Sequence, residues 1–396
     1  MRICVVSPFS HDVRITPRLE LAIRMARRGH RLIFVAPRGQ FALRGTKTPN
    51  IAHEKLQGVE MFYFPVRFPV SNLAYPVPDL LEETRLIHRI VSRGGVDVVH
   101  FYQPEFLTSI PLLFVKRALH KPTMLTINGF PGTSWHYGDM VVDLAGLAYT
   151  QTLTRILLQD ADKVLLYATR LQKYARELGV PDSKMILLPE GVDNDFPKDA
   201  KDVRKTVRKG LGVSDDEKLI IFTGRLVPVK GVPILIEAFK RLYDSHPTVR
   251  LLVVGDGPYR GSYEALSGDL LGKAVRFTGL VTSQTVKRFL LASDIFVLPS
   301  LSEGISSSLL EASLSGLPCV VSDTGAASDI IENGKSGLIV GVNDVGALLR
   351  ALSLLLEDEK MALDMGKKAR SRVGREFTWD RIVKRYEWIC ERLVRK

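Results

Sequence analysis

Two glutamates stand eight positions apart in the segment SEGISSSLLEASLSGLPCVVSD, which follows the short apolar run DIFVLPS. Glu303 comes shortly after this predicted strand, and Glu311 falls inside the helix that the following residues predict. Carboxylates are double acceptors that suit the hydroxyl groups of a sugar or a ribose. We therefore interpret the pair as groups that bind hydroxyls and not as an acid–base dyad; the alternative is a solvated cap and an exposed helix residue.

The residues between the two glutamates are small and mostly polar. A helix start leaves backbone N–H groups without partners and carries the positive end of the helix dipole, so it is suited to an anion such as a diphosphate. Small side chains let that anion approach the backbone. The residues predicted to do this are Gly304, Ile305, Ser306, Ser307 and Ser308.

Two cations occupy a similar position in the segment FTGRLVPVKG. Arg225 follows a predicted strand and Gly224, and Lys230 comes just before a predicted helix. On a diphosphate, Arg and Lys would neutralise the charge that develops when the bond to it breaks. The alternative is that both are loop cations in water.

Two further patterns are interpreted as structural. VVGDGPYRG is similar to a dinucleotide-binding fingerprint, but Arg260 occupies the place of the third glycine, so Gly255 and Gly257 predict a tight turn from strand to helix. Asp193 and Asp195 in GVDNDF could be mistaken for metal ligands, but a hinge turn is the preferred interpretation. The sequence therefore predicts no metal site.

The elements that must position these residues are short apolar runs separated by helical patterns, which predict buried parallel strands of doubly wound sheets. In the first half the runs are 2–7, 31–37, 96–101, 122–128, 163–168 and 184–190. In the second half they are 218–224, 250–257, 275–279, 294–300, 318–323 and 337–340. Ligands of such sheets bind outside the carboxyl ends of the strands.

The fold class predicted is α/β, with two Rossmann-like domains whose parallel sheets face a central cleft. The polar stretch DNDFPKDAKDVRKTVRKGLGVSDDEK shows little apolar periodicity and is interpreted as the domain boundary. We expect an N-terminal domain over residues 1–195, a C-terminal domain over 196–377 and an amphipathic helix over 378–396 that packs toward the first domain. Its apolar side consists of Trp379, Ile382, Val383, Tyr386, Ile389 and Cys390.

The charge is unevenly distributed: the chain of 396 residues has a net charge of +12, with 24 Lys and Arg against 16 Asp and Glu in residues 1–190. This excess favours an anionic partner, and nucleic acid ranks lowest because basic patches interleaved with aromatic residues are not evident. The predicted first helix is rich in arginine, with only Glu20 opposing, which predicts either a solvated face or contact with an anionic membrane. These arginines are Arg14, Arg18, Arg24, Arg27, Arg28 and Arg31.

Three scattered cysteines, Cys4, Cys319 and Cys390, predict reduced and buried thiols. No apolar run has the length of a signal peptide or a membrane span. The expected location is therefore cytoplasmic, with peripheral contact to the cytoplasmic face of a membrane as an extension of the charge argument.

The order of these motifs resembles the retaining glycosyltransferases of family 4, which have the GT-B fold. The resemblance rests on GRLVPVKG, VVGDGP, the spacing of Glu303 and Glu311, ASLSGLPCVVSD and the tail FTWD with its closing helix. It implies a sugar-nucleotide donor in the second domain, with Arg225 and Lys230 on the diphosphate, Glu311 on the ribose and Glu303 on the transferred sugar. It also implies retention of configuration without an obligatory metal or other cofactor.

The first half departs from the family pattern at two places. Where the family usually has a glycine pair, this chain has SPFSHDVRITPR, so His11 and Asp12 are assigned to the phosphate side. Where the family often has a cleft histidine, this chain has Asn128 in LTINGF. Asparagine cannot act as a base, but it can hydrogen-bond the sugar or the acceptor, and His136 is a candidate substitute.

The implied reaction moves a hexose-type sugar from a UDP- or GDP-linked donor to an acceptor glycan or a lipid-linked sugar. The nucleotide base is expected to contact backbone groups near Gly279, Leu280 and Val281. A GT-B-fold sugar-nucleotide epimerase and a non-catalytic sugar-nucleotide-binding protein remain the alternatives. A pyridoxal-phosphate phosphorylase is disfavoured because the expected length and a convincing Schiff-base lysine are missing.

Overall fold

The computed structural model describes residues 1–9, 16–37, 53–70, 75–134 and 140–395, and the chain within them forms two compact units. The first unit comprises Met1–Glu190 with Trp379–Lys396, and the second comprises Gly191–Thr378. The sequence analysis drew its boundary after residue 195, a few residues later. Val192 belongs to the second unit because its backbone N–H donates to the carbonyl of Phe377 at 2.8 Å.

The first unit is built on an eight-stranded sheet in the order β10-β9-β8-β7-β1-β2-β4-β3. Its strands, with the separate pair β5 and β6, are β1 (Arg2–Val6), β2 (Arg31–Pro37), β3 (His53–Leu56), β4 (Val59–Phe64), β5 (Val66–Val70), β6 (Tyr75–Pro78), β7 (Val98–Tyr102), β8 (Thr123–Ile127), β9 (Lys163–Leu166) and β10 (Met185–Leu187). All neighbours in this sheet run parallel except β3 and β4. The central strands are buried on both faces, as apolar runs without alternation predict.

Helices connect these strands. They are α1 (Pro17–Arg27), α2 (Leu80–Arg93), α3 (Pro111–Arg117), α4 (Met140–Tyr149), α5 (Arg155–Asp160) and α6 (Leu171–Glu177), with a π-helical turn over Thr150–Thr154. The start of α1 follows from its sequence: the hydroxyl of Thr16 accepts from the Leu19 N–H, and Pro17 occupies the first turn, where its missing N–H costs no hydrogen bond.

The second unit holds a six-stranded, wholly parallel sheet in the order β13-β12-β11-β14-β15-β16. Its strands are β11 (Lys218–Thr223), β12 (Val249–Val254), β13 (Val275–Phe277), β14 (Ile295–Leu298), β15 (Cys319–Ser322) and β16 (Leu338–Val340). Its helices are α7 (Ala200–Leu211), α8 (Val232–Ser245), α9 (Arg260–Ser267), α10 (Ser283–Ala292), α11 (Ser307–Ser315), α12 (Ala327–Ile330), α13 (Val345–Glu357) and α14 (Glu359–Glu376). The strand order reverses at β11, so the loops after β11 and β14 lie at the switch point.

The stretch predicted as the domain boundary contains the helix α7. An arginine occupies a buried position of this helix, so the sequence does not show the regular spacing of apolar residues that predicts a helix. The Arg208 side chain is 2% exposed and donates to the carboxylate of Asp294 at 3.2 Å and to the carbonyl of Glu217 at 2.5 Å. A buried guanidinium is tolerated because acceptors satisfy both of its terminal nitrogens.

The last helix, α15 (Trp379–Val394), packs against the first unit. The hydroxyl of Tyr386 lies 2.8 Å from Nδ1 of His100, which is fully buried. Glu387 pairs with Arg28 at 2.5 Å and with His30 at 2.6 Å. The contact of Tyr386 with His100 holds the helix against β7, and the contacts of Glu387 hold it against the end of α1. Burial lowers the pKa of His100 to about 3, so its imidazole is neutral in this contact.

All three cysteines are buried and form no disulfide. Burial raises the pKa of each thiol to about 12. Within the described parts of the chain, the helices all fall short of the length and apolar character needed to cross a membrane.

Candidate functional site

The centre of the site in the second unit is an ion pair between two residues that the sequence analysis assigned to different parts of a donor. Nζ of Lys230 lies 2.5 Å from Oε1 of Glu303. The hydroxyl of Ser300, a fully buried residue, donates to the same oxygen at 2.7 Å. The side chains of Lys230 and Glu303 are 19% and 11% exposed. This partly buried pair is therefore held on one side by the protein and open to water on the other.

A close backbone contact joins the loop after β11, which carries Lys230, to the loop after β14, which carries Glu303. Gly231 has a φ of +66°, and a Cβ at this position would lie 1.9 Å from the carbonyl oxygen of Pro299. The N–H of Leu301 donates to the carbonyl of Val229 at 2.8 Å. The turn over Pro228–Lys230 thus lies directly against the end of β14, and only glycine permits this approach.

The loop that carries Arg225 is fixed by the turn after β12. The N–H of Leu226 donates to the carbonyl of Asp256 at 2.9 Å. A Cβ on Gly255, which has a φ of +132°, would lie 1.9 Å from the carbonyl oxygen of Gly224. Arg225 itself is exposed, and no carboxylate of the described residues forms an ion pair with it. Its guanidinium is consequently available to an anion at the carboxyl end of β11.

The segment predicted to contact the nucleotide base follows β13, the strand next to β12 in the sheet. Gly279 has a φ of +72°, and its carbonyl accepts from the Gly255 N–H at 3.2 Å. Leu280 is 78% exposed and Val281 is partly buried. The structure therefore aligns the loops after β11, β12 and β13, which is the arrangement that the parallel strands require.

The helix start predicted around Gly304–Ser308 lies within that segment. Helix α11 starts at Ser307, and the hydroxyl of its N-cap Ser306 accepts from the Leu309 N–H at 3.3 Å. The carbonyl of Gly304 accepts from the Ala326 N–H at 2.8 Å, which ties this loop to the one after β15. Gly304 and Ser306 are buried, Ile305 and Ser308 are partly buried, and Ser307 is exposed.

Glu311 lies in the second turn of α11 and is partly buried. Glu303 lies in the loop before the same helix, so both carboxylates belong to one end of the second sheet. The ion pair of Glu303 and Lys230 joins residues 73 positions apart, which no spacing rule could connect.

Asp195 has a structural partner. Its carboxylate pairs with Nζ of Lys287, a residue that is 5% exposed, and accepts from Nε2 of Gln284 at 2.9 Å. Partial burial raises the pKa of Asp195, but the hydrogen bond and charge of Lys287, together with hydrogen bonds from the backbone and Gln284, lower it overall. Across the described ranges, no three His, Cys, Asp or Glu side chains are grouped closely enough to hold a metal ion.

Asn128 belongs to the first unit, at the carboxyl end of β8. The residue is partly exposed, but its Oδ1 atom is buried and has no hydrogen-bond partner among the residues that the structure describes. A buried acceptor without a donor costs about 1–3 kcal/mol, so this atom is poised for a ligand. His11, Asp12 and His136, the other residues assigned to this side, lie outside the described residues.

A group of polar residues next to Asn128 was missed by the sequence analysis. Gln103 and Glu105 follow β7 directly, and Arg18 reaches them from α1. Nη2 of Arg18 donates to Oε1 of Gln103, whose Nε2 donates to Oε1 of Glu105 at 2.9 Å. The signal in the sequence was the segment QPE after the run VVHFY, a polar segment at a strand end like the one that identified Arg225.

The arginines assigned to a basic helix face are engaged within the first unit. Arg24 pairs with Glu20 at 2.6 Å, Arg31 pairs with Glu60 at 2.7 Å, and Arg27 donates to Gln57 at 2.7 Å. Arg28 and Arg18 bind Glu387 and Gln103 as described above. Arg14 lies outside the described residues. Three of these arginines, Arg24, Arg28 and Arg31, are paired with a glutamate, whereas within the described ranges Arg18 and Arg27 bond only to a neutral amide, so the predicted cationic surface is reduced.

The two units match two family models. "Glycosyltransferase Family 4" matches residues 19–196, and "Glycosyl transferases group 1" matches residues 203–372. A putative teichuronic acid biosynthesis glycosyltransferase of Bacillus subtilis is 36% identical over 169 residues, 43% of this chain and 40% of the relative. The N-acetyl-alpha-D-glucosaminyl L-malate synthase of Bacillus anthracis is 26% identical over 95% of this chain and 93% of that protein. The matched segment thus spans less than half the length of the first of these relatives.

Two solved structures share the fold. Sucrose-phosphate synthase from Thermosynechococcus elongatus has a TM-score of 0.80 at 20% identity, covering 99% of this chain and 98% of that one. The Anabaena protein HepE in complex with UDP has a TM-score of 0.75 at 16% identity, covering 99% of this chain and all of that one. With both units matched by their family models and the expected two-sheet architecture present, the chain belongs to glycosyltransferase family 4 and has the GT-B fold.

Proposed function

We propose that this protein is a retaining glycosyltransferase that moves a hexose-type sugar from a UDP- or GDP-linked donor to a hydroxylated acceptor. The observation that carries the proposal is the Lys230–Glu303 pair, held at the carboxyl end of the second sheet beside the start of α11. A cation and a helix N-terminus match the diphosphate of a sugar diphosphate, and a hydroxyl-binding carboxylate at the same strand edge matches its sugar.

In this proposal Lys230 and Arg225 bind the diphosphate, Glu303 binds the transferred sugar and Glu311 binds the ribose. The ion pair of the free protein opens when the donor arrives, because the phosphate oxygens replace the carboxylate as the partner of Lys230. Glu303 then becomes an acceptor for sugar hydroxyls. The two cations stabilise the charge that the diphosphate gains as it leaves, and such electrostatic stabilisation usually contributes more to the rate than any other single effect.

The donor is identified by calorimetric titration of the wild-type protein with UDP-glucose, UDP-N-acetylglucosamine, GDP-mannose and ADP-glucose. We expect one nucleotide to be selected. Retention is tested on the product by the anomeric coupling constant in proton NMR, and an inverted product would overturn that part of the proposal. If none of the four sugar nucleotides binds, the assignment of a donor site is wrong.

Product analysis after incubation with the selected sugar nucleotide separates the two alternatives, an epimerase and a non-catalytic binding protein. An epimerase converts the sugar nucleotide without releasing the nucleotide, whereas a binding protein leaves it unchanged. We expect slow release of free nucleotide when the acceptor is absent, because water then takes the place of the acceptor hydroxyl. Intact sugar nucleotide after prolonged incubation would favour the binding protein.

We expect Asn128→Ala to lower turnover about tenfold while changing donor affinity little, because the free Oδ1 atom lies in the first unit and the donor groups lie in the second. Donor affinity is measured by calorimetry and turnover by nucleotide release. The matched control is Asn333→Ala, because the Oδ1 atom of Asn333 already accepts from the Ile339 N–H in an exposed turn. Unchanged turnover in Asn128→Ala removes the residue from the site.

Peripheral membrane association is a separate proposal, supported by the charge of residues 1–190 and not by α1, whose described arginines are engaged. If it holds, the protein sediments with vesicles that contain anionic lipid. Raising the salt concentration then releases the protein, because salt screens the attraction between its basic residues and the lipid. Equal sedimentation with neutral and anionic vesicles would contradict the proposal. A lipid-linked acceptor would fit such a location.

A further inference from the structure

The group formed by Arg18, Gln103 and Glu105 has unused hydrogen-bonding capacity at the end of the first sheet. The guanidinium of Arg18 lies 5.1 Å from the centre of the Phe9 ring and 5.6 Å from that of Tyr102. Its Nε atom is buried without a partner, and no carboxylate among the described residues lies within ion-pair distance of it. A guanidinium held by two aromatic rings and one amide is pre-organised, but its charge is not neutralised.

Gln103 gives this group its orientation. Its φ is +62°, a left-handed conformation that is unfavourable by about 1 kcal/mol for a residue with a side chain. Its N–H donates to the carbonyl of Thr126 at 2.8 Å, and its own carbonyl accepts from the hydroxyl of Ser109 at 3.2 Å. The backbone is thus fixed so that the amide bridges Arg18 and Glu105.

Two buried acceptors lie on neighbouring strand ends. Oε2 of Glu105 and Oδ1 of Asn128 both lack hydrogen-bond partners among the described residues. Tyr102 and Thr126 are paired in the parallel register of β7 and β8, so the two strand ends that lead to Glu105 and Asn128 are neighbours, about 5 Å apart. Each unpaired acceptor is unfavourable unless a donor binds it, and sugar hydroxyls are such donors.

The electrostatics of Glu105 agree with this geometry. Loss of water raises the pKa of its carboxyl to about 7, although its own backbone, Gln103 and Arg18 act in the opposite direction. The titratable groups that face it are Arg18 from α1 and Tyr149 from α4, whose hydroxyl donates to the carbonyl of Pro104 at 2.9 Å. Neither supplies a donor to Oε2.

We propose that Arg18, Gln103, Glu105 and Asn128 form an acceptor subsite that selects a hydroxylated acceptor carrying an anionic group, with the anion on Arg18 and hydroxyls on Glu105 and Asn128. This inference rests on the proposed glycosyltransferase function and gives its acceptor a chemical class. Phosphate and carboxylate both match the planar fork of a guanidinium, so either can be the anionic group.

The test uses three hexoses that differ at one carbon: glucose 6-phosphate, glucuronate and glucose, each titrated into the full chain by NMR. We expect at least one of the two anionic probes to bind about tenfold more tightly than glucose, the size of one charge-assisted contact. Preference for glucose 6-phosphate identifies a phosphate, and preference for glucuronate a carboxylate. Equal binding of all three, or binding of none, overturns the inference.

Variants assign the effect to these residues. Arg18→Ala should abolish the preference for the anionic probe, Arg18→Lys should keep part of it, and Glu105→Gln should weaken all three probes. Arg27→Ala is the matched control, since Arg27 also lies on α1 and also donates to a glutamine, Gln57, but is exposed. If Arg27→Ala changes the preference as much as Arg18→Ala, the effect is one of overall charge and the subsite is wrong.

Donor calorimetry on the wild type distinguishes the failure of this inference from the failure of the proposed function. Loss of anion preference with donor binding intact rejects only the acceptor subsite. Absence of donor binding rejects the glycosyltransferase proposal, and the anion preference, measured without any nucleotide, is then no longer evidence for an acceptor.

Discussion

Lys230→Ala is expected to lower the rate of nucleotide release from the selected donor by about 10³-fold, which corresponds to about 4 kcal/mol of lost transition-state stabilisation. Lys230 is one of two cations at this strand edge, and the turn over Pro228–Lys230 is held against the end of β14. The ammonium is therefore in position before the donor binds. Because the charge on the diphosphate grows as the bond to the sugar breaks, the loss should affect turnover more than donor affinity.

The measurement is steady-state nucleotide release together with calorimetric donor affinity for each variant. Lys335→Ala is the matched control, because Lys335 also pairs with a glutamate at 2.5 Å, Glu332, but its side chain is 68% exposed. We expect that variant to behave as the wild type. If Lys230→Ala retains wild-type turnover, the cation does not contact the leaving group and the proposed roles of Lys230 and Glu303 must be abandoned.

The strands of both sheets could be predicted from sequence because parallel strands buried on both faces are continuous apolar runs. The run 218–224 corresponds to β11 (Lys218–Thr223), and the run 318–323 to β15 (Cys319–Ser322). The strands β3 and β4 were not predicted. The edge strand is β3, which consists of HEKL and has no apolar run to detect, and β4 lies between it and β2.

The rule that functional side chains follow strand ends accounts for what could be predicted of the site. It selected Arg225 and Glu303, and it applies equally to Gln103 and Glu105 after β7. It could not show which of these side chains meet. Lys230 reaches Glu303 only because Gly231 lets two loops touch, and the positive φ of Gln103 follows from contacts with β8 and not from its residue type.

Buried and paired charges account for features that the sequence did not show elsewhere. Arg208 occupies a buried helix position through four backbone and side-chain acceptors, so α7 lacked an apolar stripe in the sequence. The arginines in and after α1 were predicted to form either a solvated face or a surface for an anionic membrane, and Arg24, Arg28 and Arg31 each have a glutamate partner. Two of these three partners, Glu60 and Glu387, are distant in sequence, and pairing of this kind is set by the fold.

Gly231→Ala should remove the contact on which the Lys230–Glu303 pair depends. The added Cβ would lie 1.9 Å from the carbonyl oxygen of Pro299, a backbone atom that cannot rotate away. The φ of +66° adds about 1 kcal/mol of strain. We expect the free energy of unfolding to fall by about 3 kcal/mol and donor affinity to fall at least about tenfold, because the turn must move away from β14.

Gly210→Ala separates this effect from that of adding a methyl group to any glycine. Gly210 lies within α7, and nothing lies within 4 Å of a Cβ added there, so alanine should raise the free energy of unfolding by up to about 1 kcal/mol through its helix propensity. Chemical denaturation and donor calorimetry of both variants give the comparison. A Gly231→Ala protein with wild-type stability and affinity would mean that the two loops need not touch. The positions of Lys230 and Glu303 at the donor site would then not depend on the contact that Gly231 allows.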